Sequence, residues 1–373
     1  MSVRKTLAFA MKIFSSKIKE PKLPWRINLA VTYSCNARCL MCNVWRKYVE
    51  CPALIHEEMR LEHFDKLFSE LRSHLFWLHI TGGEPFLRSD LVEIVKRAVK
   101  RCKNLYAIEI PTNGLAPTLI EARVRQLLEV LQEHKVALGI GISIDGPPEI
   151  HDYVRGVKGA WERTVESLEK LKELEKSYGN LNVAVAYTIT KHNAGYLPKL
   201  YDRLQKIVDL SPSDILVNVE HVGALYHTSG RVDYREVREK IAKDISWLLN
   251  HYQREHPKSF GMQIWSKFRH AFTQLIVQYV DEPTKMLIPC EALRSVVFID
   301  PYGDVYPCII WGLKLGNVKA DSLRKILREK TSLSARGCIE KGECPNCWTG
   351  CEAMPTLLIR YWKAVLKPKQ GLA

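Results

Sequence analysis

The 373-residue sequence predicts an α/β fold. From Ile27 to Val222, short apolar runs alternate with longer amphipathic segments, which is typical of strand–helix units in a parallel sheet. Six such units are present, and right-handed crossovers would curl their sheet toward a barrel. Because a closed barrel of this type needs eight units, we expect a partial, TIM-like (β/α)6 barrel. A helical bridge and a small cysteine-rich C-terminal domain follow it.

The strands of the barrel are predicted from six short apolar runs. In order they are INLAVTY (27–33), FWLHI (76–80), LYAIEI (105–110), ALGIGIS (137–143), LNVAVAYTI (181–189) and DILVNVEHV (214–222). Between them, apolar residues recur at helical spacing, as over 61–71, 90–101 and 161–176.

The chain is predicted to divide into five parts. These are an N-terminal basic amphipathic helix (1–24), the partial barrel (25–225), the helical bridge (226–286), the cysteine-rich domain (287–360) and a basic tail (361–373). In the bridge, a loop containing Pro257 and Gly261 separates two segments of helical periodicity, whereas the cysteine-rich part shows little of that periodicity.

Charge and cysteine content limit the partners, the kinds of site and the cell compartment expected for this protein. The formal net charge of +14 suits an acidic partner, but the basic residues are spread along the chain without an aromatic-interleaved stripe, so no specific nucleic acid is expected. Eleven cysteines without a secretory signal favour metal or redox sites in a reducing cytoplasm. No stretch approaches the roughly 18 apolar residues of a membrane span, so we expect a cytoplasmic protein or one bound peripherally at the inner membrane surface.

Three cysteines follow the first predicted strand. Cys35, Cys39 and Cys42 have C-x-x-x-C-x-x-C spacing. A structural zinc site takes four ligands, commonly from paired C-x-x-C sequences, and fits this trio poorly. Three thiolates on a 4Fe-4S cluster leave one iron open, and an open iron can chelate a substrate or cosubstrate. The alternative is a set of small buried hydrophobic residues.

This stretch resembles the signature of the radical S-adenosylmethionine (SAM) family, with Met41 where the family usually has an aromatic residue. The resemblance implies a 4Fe-4S cluster on the three cysteines, whose open iron holds the amino and carboxylate groups of SAM. It also implies reductive cleavage of SAM to a 5'-deoxyadenosyl radical, which abstracts hydrogen from an unactivated C–H bond. A reducing partner such as ferredoxin or flavodoxin is expected.

Polar residues follow the other predicted strands, at the end where the loops of a barrel converge. By the same resemblance, HITGGEPF supplies an element that meets the methionine amino group of SAM, and further SAM contacts come from the next strand ends. The predicted cofactor-binding residues are Gly82, Gly83, Glu84, Thr112, Asn113, Ser143, Arg155 and Thr188. Ordinary turns are the alternative for TNG and DGPP. Glu220 and His221 are predicted as proton acceptor or substrate anchor, with buried structural polar residues as the alternative.

The C-terminal cysteines fall into two groups. A hairpin turned at Pro301–Asp304 should bring Cys290 and Cys308 together, and CIEKGECPNCWTGC adds four more cysteines. This region resembles the SPASM or twitch extension of radical SAM enzymes, although the order here is C-x5-C-x2-C-x3-C instead of C-x2-C-x5-C-x3-C. Because six cysteines cannot fully ligate two clusters that take about four each, we expect one auxiliary 4Fe-4S cluster, with Cys338 as the spare cysteine and its ligands drawn from Cys290, Cys308, Cys344, Cys347 and Cys351. A structural zinc site stays open as the alternative.

The resemblance implies a redox modification of a biosynthetic substrate, which we expect to be a peptide, a protein, a lipid or a lipid-linked molecule. Peptide maturases of this family often carry a leader-binding domain, and only about two dozen residues precede the first strand, so leader-guided chemistry is less expected. The alternative function is a non-catalytic iron–sulfur or zinc protein that binds nucleic acid through a basic surface.

The N-terminal segment carries an apolar stripe at helical spacing. Its members are Val3, Leu7, Ala10, Met11, Phe14 and Ile18, and lysines occupy other positions. Such a helix either docks against the barrel or lies in an anionic membrane surface. Membrane contact would favour a lipid substrate.

Overall fold

The computed structural model describes residues 3–226, 233–252 and 260–362. Its strands are β1 (Arg26–Thr32), β2 (Trp77–Gly82), β3 (Ala107–Thr112), β4 (Ala137–Ser143), β5 (Leu181–Ile189), β6 (Ile215–Val219), β7 (Val296–Ile299), β8 (Asp304–Tyr306) and β9 (Gly316–Asn317). They form one open sheet in the order β6-β5-β4-β3-β2-β1-β7-β8-β9.

Helices connect and cover the strands. They are α1 (Val3–Ile18), α2 (Lys47–Glu50), α3 (Leu61–Leu71), α4 (Leu91–Arg101), α5 (Pro117–Glu133), α6 (Pro148–Arg155), α7 (Ala160–Ser177), α8 (Leu197–Leu204), α9 (Arg238–Tyr252), α10 (Phe260–Asp281), α11 (Leu323–Ile326), α12 (Lys330–Lys341) and α13 (Gly350–Arg360). Short 3₁₀ turns cover Val44–Arg46, Pro52–Glu57, Pro85–Leu87 and Pro212–Asp214.

The first six strands confirm the predicted fold class. β1 to β6 are parallel, and each pairs with the next along the chain, with helices on the crossovers. The runs ALGIGIS and LNVAVAYTI match β4 and β5 residue for residue. Such an open six-stranded parallel arrangement is a partial barrel, because two strand–helix units of the closed form are missing.

The two faces of the barrel sheet differ in composition. Along β3 and β4, fully buried residues alternate with partly exposed ones. The buried set, such as Ile108 and Ile140, packs into the main core under the helices. The alternate set, which includes Glu109 and Gly139, faces the interior of the barrel, called the lumen below. The glycines on this face leave space in the lumen.

The cysteine-rich region continues the barrel sheet. β7 pairs in parallel with β1, and β7, β8 and β9 follow one another in antiparallel order. The predicted hairpin is confirmed, with its turn between Ile299 and Asp304. Because one sheet runs through the barrel and this region, the proposed domain boundaries at 225 and 286 stay predictions.

Two helical features differ from the sequence-based expectation. The cysteine-rich region contains α12 and α13, although α13 begins at Gly350 and includes Pro355. Its buried apolar side chains stabilise the helix in spite of these poor helix formers. Gly261 was expected in a loop but lies in α10, whereas Pro257 and residues 363–373 of the basic tail lie outside the described residues.

Helix α1 docks on the barrel through a face different from its apolar stripe. Phe9 is buried, with its ring centroid 4.9 Å from that of Tyr106 and 5.5 Å from that of Trp25. Lys5 Nζ donates to the carbonyl oxygens of Leu105 (2.9 Å) and His134 (2.7 Å). These contacts fix α1 on the outside of the barrel.

The apolar stripe of α1 consequently faces outward. Its five large side chains are between 57% and 75% exposed. They are Val3, Leu7, Met11, Phe14 and Ile18. Among the described residues, none of the helices has the length and apolar character needed to span a membrane.

Candidate metal and cofactor site

The loop after β1 carries the first three cysteines and is held against α6. The N–H of Arg38 donates to the carbonyl of Arg155 (2.9 Å), and that of Leu40 donates to Val154 (3.0 Å). Inside the loop, the N–H of Cys42 donates to the carbonyl of Cys39 (3.3 Å). The loop is therefore anchored by its backbone, and the three cysteine side chains pack in the same hydrophobic cluster.

Hydrogen-bond donors face these thiols. Arg155 Nη1 donates to Cys39 Sγ (3.6 Å), and Asn113 Nδ2 donates to Cys35 Sγ (3.8 Å). Burial raises the pKa of Cys35 and that of Cys42 to about 12, so both are protonated thiols before a metal binds. Backbone N–H groups oppose this rise at both cysteines, together with the Asn113 side chain at Cys35 and the charge of Arg155 at Cys42, and these groups would stabilise the thiolates of a bound metal centre.

The donor set fits a cluster better than a single metal ion. In the part of the chain that the structure describes, no three Cys, His, Asp or Glu side chains converge tightly enough to hold one ion. Thiolates on one zinc each lie about 2.3 Å from the metal, whereas those on a cubane bind different irons and stand further apart. Three cysteines with a facing arginine are suited to such an anionic cluster.

The predicted Gly82-Gly83 pair allows β2 to approach the start of the cysteine loop. A Cβ on Gly83 would lie 2.2 Å from the carbonyl oxygen of Ser34, and Gly82 has a φ of +139°. The N–H of Gly83 donates to Thr32 (2.7 Å), and that of Glu84 donates to Ser34 (2.8 Å). Both glycines are therefore required for backbone packing beside the cysteine loop. Their contact with SAM stays a prediction.

Glu84 joins the ends of β2 and β3. Its carboxylate accepts hydrogen bonds from the Asn113 N–H (2.7 Å) and the Thr112 hydroxyl (2.9 Å), and also from the Phe86 N–H (3.2 Å). Burial raises the pKa of Glu84 to about 7, and these hydrogen bonds oppose that rise. The structure thus brings three predicted cofactor-binding residues together beside Cys35.

Arg155 forms a buried ion pair that the sequence analysis did not assign. Its Nη2 lies 2.6 Å from Asp145 Oδ2, and Asp145 Oδ1 accepts the N–H of Thr188 (2.9 Å). The pair therefore connects the Cys39 side of the site with β5. Ser143 ends β4, lies opposite Ala186 in the sheet and is partly exposed toward the lumen. The roles of these residues in binding SAM stay predictions.

His221 and Glu220 occupy different environments. The buried His221 ring accepts the Trp348 N–H at Nε2 (3.0 Å) and stacks on Tyr279 with centroids 5.0 Å apart. Its Nε2 is thus engaged in a contact between barrel and cysteine-rich region. Glu220 is partly exposed, and its backbone carbonyl accepts the Tyr234 hydroxyl. A catalytic role for either residue stays a prediction, and the structure favours the structural alternative for His221.

Four of the C-terminal cysteines line one cavity together with Glu352. They are Cys290, Cys308, Cys344 and Cys347. Cys338 lies on α12 near Cys344. Cys351, at the start of α13, lies next to the lumen residues Arg26 and Glu109. Four thiols around one cavity suit a second cluster, with Cys351 on its lumen side.

Charged residues on the lumen face of the barrel were missed by the sequence analysis. Arg26 Nη2 and His79 Nδ1 each lie 3.5 Å from Glu109 Oε2. The available signal was a charged or polar residue at an alternating position within each of three otherwise apolar strands. Such residues face a barrel interior rather than the helices.

Comparison with known proteins gives two family matches. The protein-family model of the radical SAM superfamily matches residues 29–204, and that of the SPASM iron–sulfur cluster-binding domain matches residues 290–351. Both matches cover the cysteines described above.

Curated relatives share moderate identity with this chain. Fe-coproporphyrin III synthase of Methanosarcina barkeri is 28% identical over 69% of this chain and 57% of its own length. The antilisterial bacteriocin subtilosin biosynthesis protein AlbA of Bacillus subtilis is 24% identical over 84% of this chain and 62% of its own length. The mycofactocin maturase MftC of Mycobacterium ulcerans is 26% identical over 89% of this chain and 82% of its own length. The chain thus spans less than two thirds of the first two relatives.

Solved structures share the fold. Native anSMEcpe with bound AdoMet superimposes with a TM-score of 0.56 at 20% identity, covering 83% of this chain and 82% of its own. SuiB of Streptococcus suis gives a TM-score of 0.55 at 15% identity, covering 88% and 73% of the two chains.

Proposed function

The chain belongs to the radical SAM superfamily and carries a SPASM domain, and on this premise we propose that it cleaves SAM and uses the resulting radical on a biosynthetic substrate. We propose an enzyme rather than a non-catalytic nucleic-acid-binding protein, and the radical SAM family match and the relatives named as biosynthesis protein and maturase support this choice. The two domains imply SAM and iron–sulfur clusters as cofactors. The observation that carries the proposal is the position of Arg155 and Asn113 against the thiols of Cys39 and Cys35.

In this proposal Cys35, Cys39 and Cys42 hold a 4Fe-4S cluster with one open iron. Bound there, the cluster and SAM would supply a 5'-deoxyadenosyl radical that removes hydrogen from an unactivated C–H bond. Glu84 is held beside this site by Thr112 and Asn113, where its carboxylate can meet the amino group of SAM. Arg155 balances part of the negative charge of the thiolates.

The second proposed metal site is an auxiliary 4Fe-4S cluster on cysteines of the C-terminal region. The cavity lined by four of them supports it, and Cys338 is the spare residue. Reduction of both clusters needs an electron donor. We propose that this donor is an acidic electron carrier such as ferredoxin or flavodoxin, which the formal net charge of +14 would attract.

A peptide or protein is the first substrate class that we propose. Relatives named for subtilosin biosynthesis, for mycofactocin maturation and for sporulation killing factor maturation support it. The lumen, with glycine at two inward positions of β4, offers space in which a substrate carbon can be shielded from water.

A lipid or lipid-linked substrate is the second class, and one specific observation favours it. The stripe on α1 exposes five large apolar side chains, and Arg4 and Lys17 are exposed on either side of it by helical periodicity. An apolar face bordered by basic residues is suited to an anionic membrane surface. We therefore propose peripheral membrane contact through α1, in a protein that otherwise works in the cytoplasm.

Electron paramagnetic resonance (EPR) of the reduced protein tests the open iron directly. If SAM binds to it, adding SAM to the anaerobically reconstituted and reduced protein should change the EPR signal. The same addition should leave the signal of the variant with alanine at Cys35, Cys39 and Cys42 unchanged, because that variant retains only the auxiliary cluster. A wild-type signal that does not respond to SAM would contradict the proposal.

A further inference from the structure

The lumen contains a charged network that reaches from β3 to the start of α13. Arg26 Nη2 lies 3.5 Å from Glu109 Oε2, and Arg26 Nε donates to Asn28 Oδ1 (3.3 Å). Asn28 Nδ2 in turn donates to Glu352 Oε1 (3.3 Å). Glu352 directly follows Cys351 and lines the cavity of the other four cysteines. The network therefore connects the lumen of the barrel with the proposed auxiliary cluster.

Arg26 is buried but incompletely paired. Its side chain is 3% exposed, and its guanidinium packs 3.9 Å from the centroid of the Trp77 ring. Its Nη1 is buried without a hydrogen-bond partner among the described residues. A buried guanidinium donor without a partner is costly, so this group is expected to face an anion when the protein is loaded.

Cys351 is the residue beside Arg26 whose side chain becomes an anion when it binds iron. The Arg26 guanidinium lies against the Cys351 thiol, within reach of its charge and of a hydrogen bond, and Glu352 is the next residue along the chain. A thiolate bound to iron at this position would take up the unpaired donor of Arg26. Hydrogen bonds and charges at ligand sulfurs are among the factors that set the potential of an iron–sulfur cluster.

Glu109 is the opposing charge of this network. Burial alone would raise the pKa of Glu109, yet the hydrogen bond from His79 and the charge of Arg26 together lower it, so the group is ionised at neutral pH. Burial lowers the pKa of His79, so its ring adds no charge there. The Glu109 side chain is 39% exposed and occupies a lumen-facing position of β3, so its open side faces the lumen.

We propose that Arg26 and Glu109 are a charge pair that sets the reduction potential of the auxiliary cluster. This inference rests on the proposed second cluster. Reduction adds negative charge to the cluster, so the positive charge of Arg26 favours the reduced state and raises the potential. The negative charge of Glu109 lowers it, both directly and by drawing the guanidinium toward β3. Both are positioning residues, since they act by their charge and neither is proposed as a cluster ligand.

The test uses two substitutions with opposite expected signs. In the full chain with Cys35, Cys39 and Cys42 replaced by alanine, the EPR-monitored reduction potential of the remaining cluster is measured. Arg26→Met should shift it to more negative values, and Glu109→Gln should shift it to more positive values. Arg26→Lys keeps the charge and should retain a potential near that of the parent, which provides a readout if Arg26→Met fails to fold.

A matched control comes from the exposed pair Arg125 and Glu121 on α5, whose Nη2 and Oε1 atoms are 2.7 Å apart. Arg125→Met and Glu121→Gln should leave the potential unchanged. Potentials that stay constant in the Arg26 and Glu109 variants, or that move in the same direction, would overturn the charge-pair inference alone. A C-terminal region that binds zinc and no iron would overturn the second cluster as well, and metal analysis distinguishes the two results.

Discussion

His221 Nε2 accepts the backbone N–H of Trp348 across 3.0 Å, and this bond ties the end of the barrel sheet to the C-x-x-C segment of the C-terminal region. The two residues are 127 positions apart in the sequence. Trp348 directly follows Cys347, and its indole N–H donates to the carbonyl of Phe272 on α10 (2.9 Å). The position of Cys347 is thus fixed from the barrel side.

We predict that His221→Phe destabilises the protein by about 1–3 kcal/mol, because the buried N–H of Trp348 loses its acceptor. His221→Gln offers a side-chain oxygen and should recover part of this loss. Urea unfolding of the apoprotein variants measures both effects. Equal stability of His221→Phe and the wild type would show that the bond is unimportant and would reopen the catalytic role for His221.

Asp244 is predicted to make stability depend on pH. It is buried on α9, accepts the Gly195 N–H (2.7 Å), and burial raises its pKa to about 6 from the usual 3.8. The folded protein therefore holds the proton more tightly than the unfolded chain does. Protonated Asp244 therefore contributes about 1–3 kcal/mol of stability below about pH 4, and this contribution is lost as the pH rises through about 6.

Asp244→Asn should remove this slope in the urea midpoint of the apoprotein between pH 4 and pH 6. The exposed Asp202 on α8 provides the control, since Asp202→Asn should retain the wild-type slope. A slope that persists in Asp244→Asn would assign the pH dependence to other groups.

Membrane contact through α1 can be tested without disturbing the docked face of the helix. Met11→Ser combined with Phe14→Ser changes only exposed positions, whereas deleting α1 would also remove the buried Phe9. Wild-type protein should sediment with anionic liposomes at low salt. The double variant should bind at least about tenfold more weakly, since two large apolar groups are lost.

Leu333, which is exposed on α12, supplies the matched control: Leu333→Ser should bind liposomes like the wild type. Binding should also weaken as salt is added, because the basic residues contribute electrostatically. If the double variant and the wild type sediment equally, the stripe has no role at a membrane, and the lipid substrate loses its support.

The C-terminal cysteines are predicted to hold iron. The variant with alanine at Cys35, Cys39 and Cys42, reconstituted anaerobically, should retain about four irons per chain. Adding Cys344→Ala and Cys347→Ala should abolish this iron, whereas adding Cys338→Ala should not. Binding of zinc without iron by the parent variant would instead establish a structural zinc site.

The strands of the barrel were predictable because their signal is local. A run such as ALGIGIS contains both its buried face and its boundaries, and the structure places β4 over the same residues. The α1 helix was likewise predictable, but its orientation was not. Its exposed stripe is more apolar in pattern than the docked face, where one large ring, Phe9, packs in the core beside Ala8 and Ile13, and Lys5 donates hydrogen bonds.

Contacts between distant segments could not be predicted from the sequence. The bond between His221 and Trp348, and the network from Glu109 through Arg26 to Glu352, depend on how α13 packs against the barrel. The three-cysteine spacing was predictive because a single loop contains it. For the C-terminal cysteines, spacing indicated a metal site, but only the fold shows that Cys351 lies on the lumen side.

Cys35, Cys39 and Cys42 are proposed to hold the cluster that cleaves SAM. The measurement is 5'-deoxyadenosine formed by the anaerobically reconstituted protein with SAM and a strong reductant such as dithionite. Wild type and Cys338→Ala should both form it, and Cys35→Ala, Cys39→Ala, Cys42→Ala and the triple variant should form none while remaining folded. Formation of 5'-deoxyadenosine by the triple variant would show that these three cysteines do not hold the cluster that cleaves SAM.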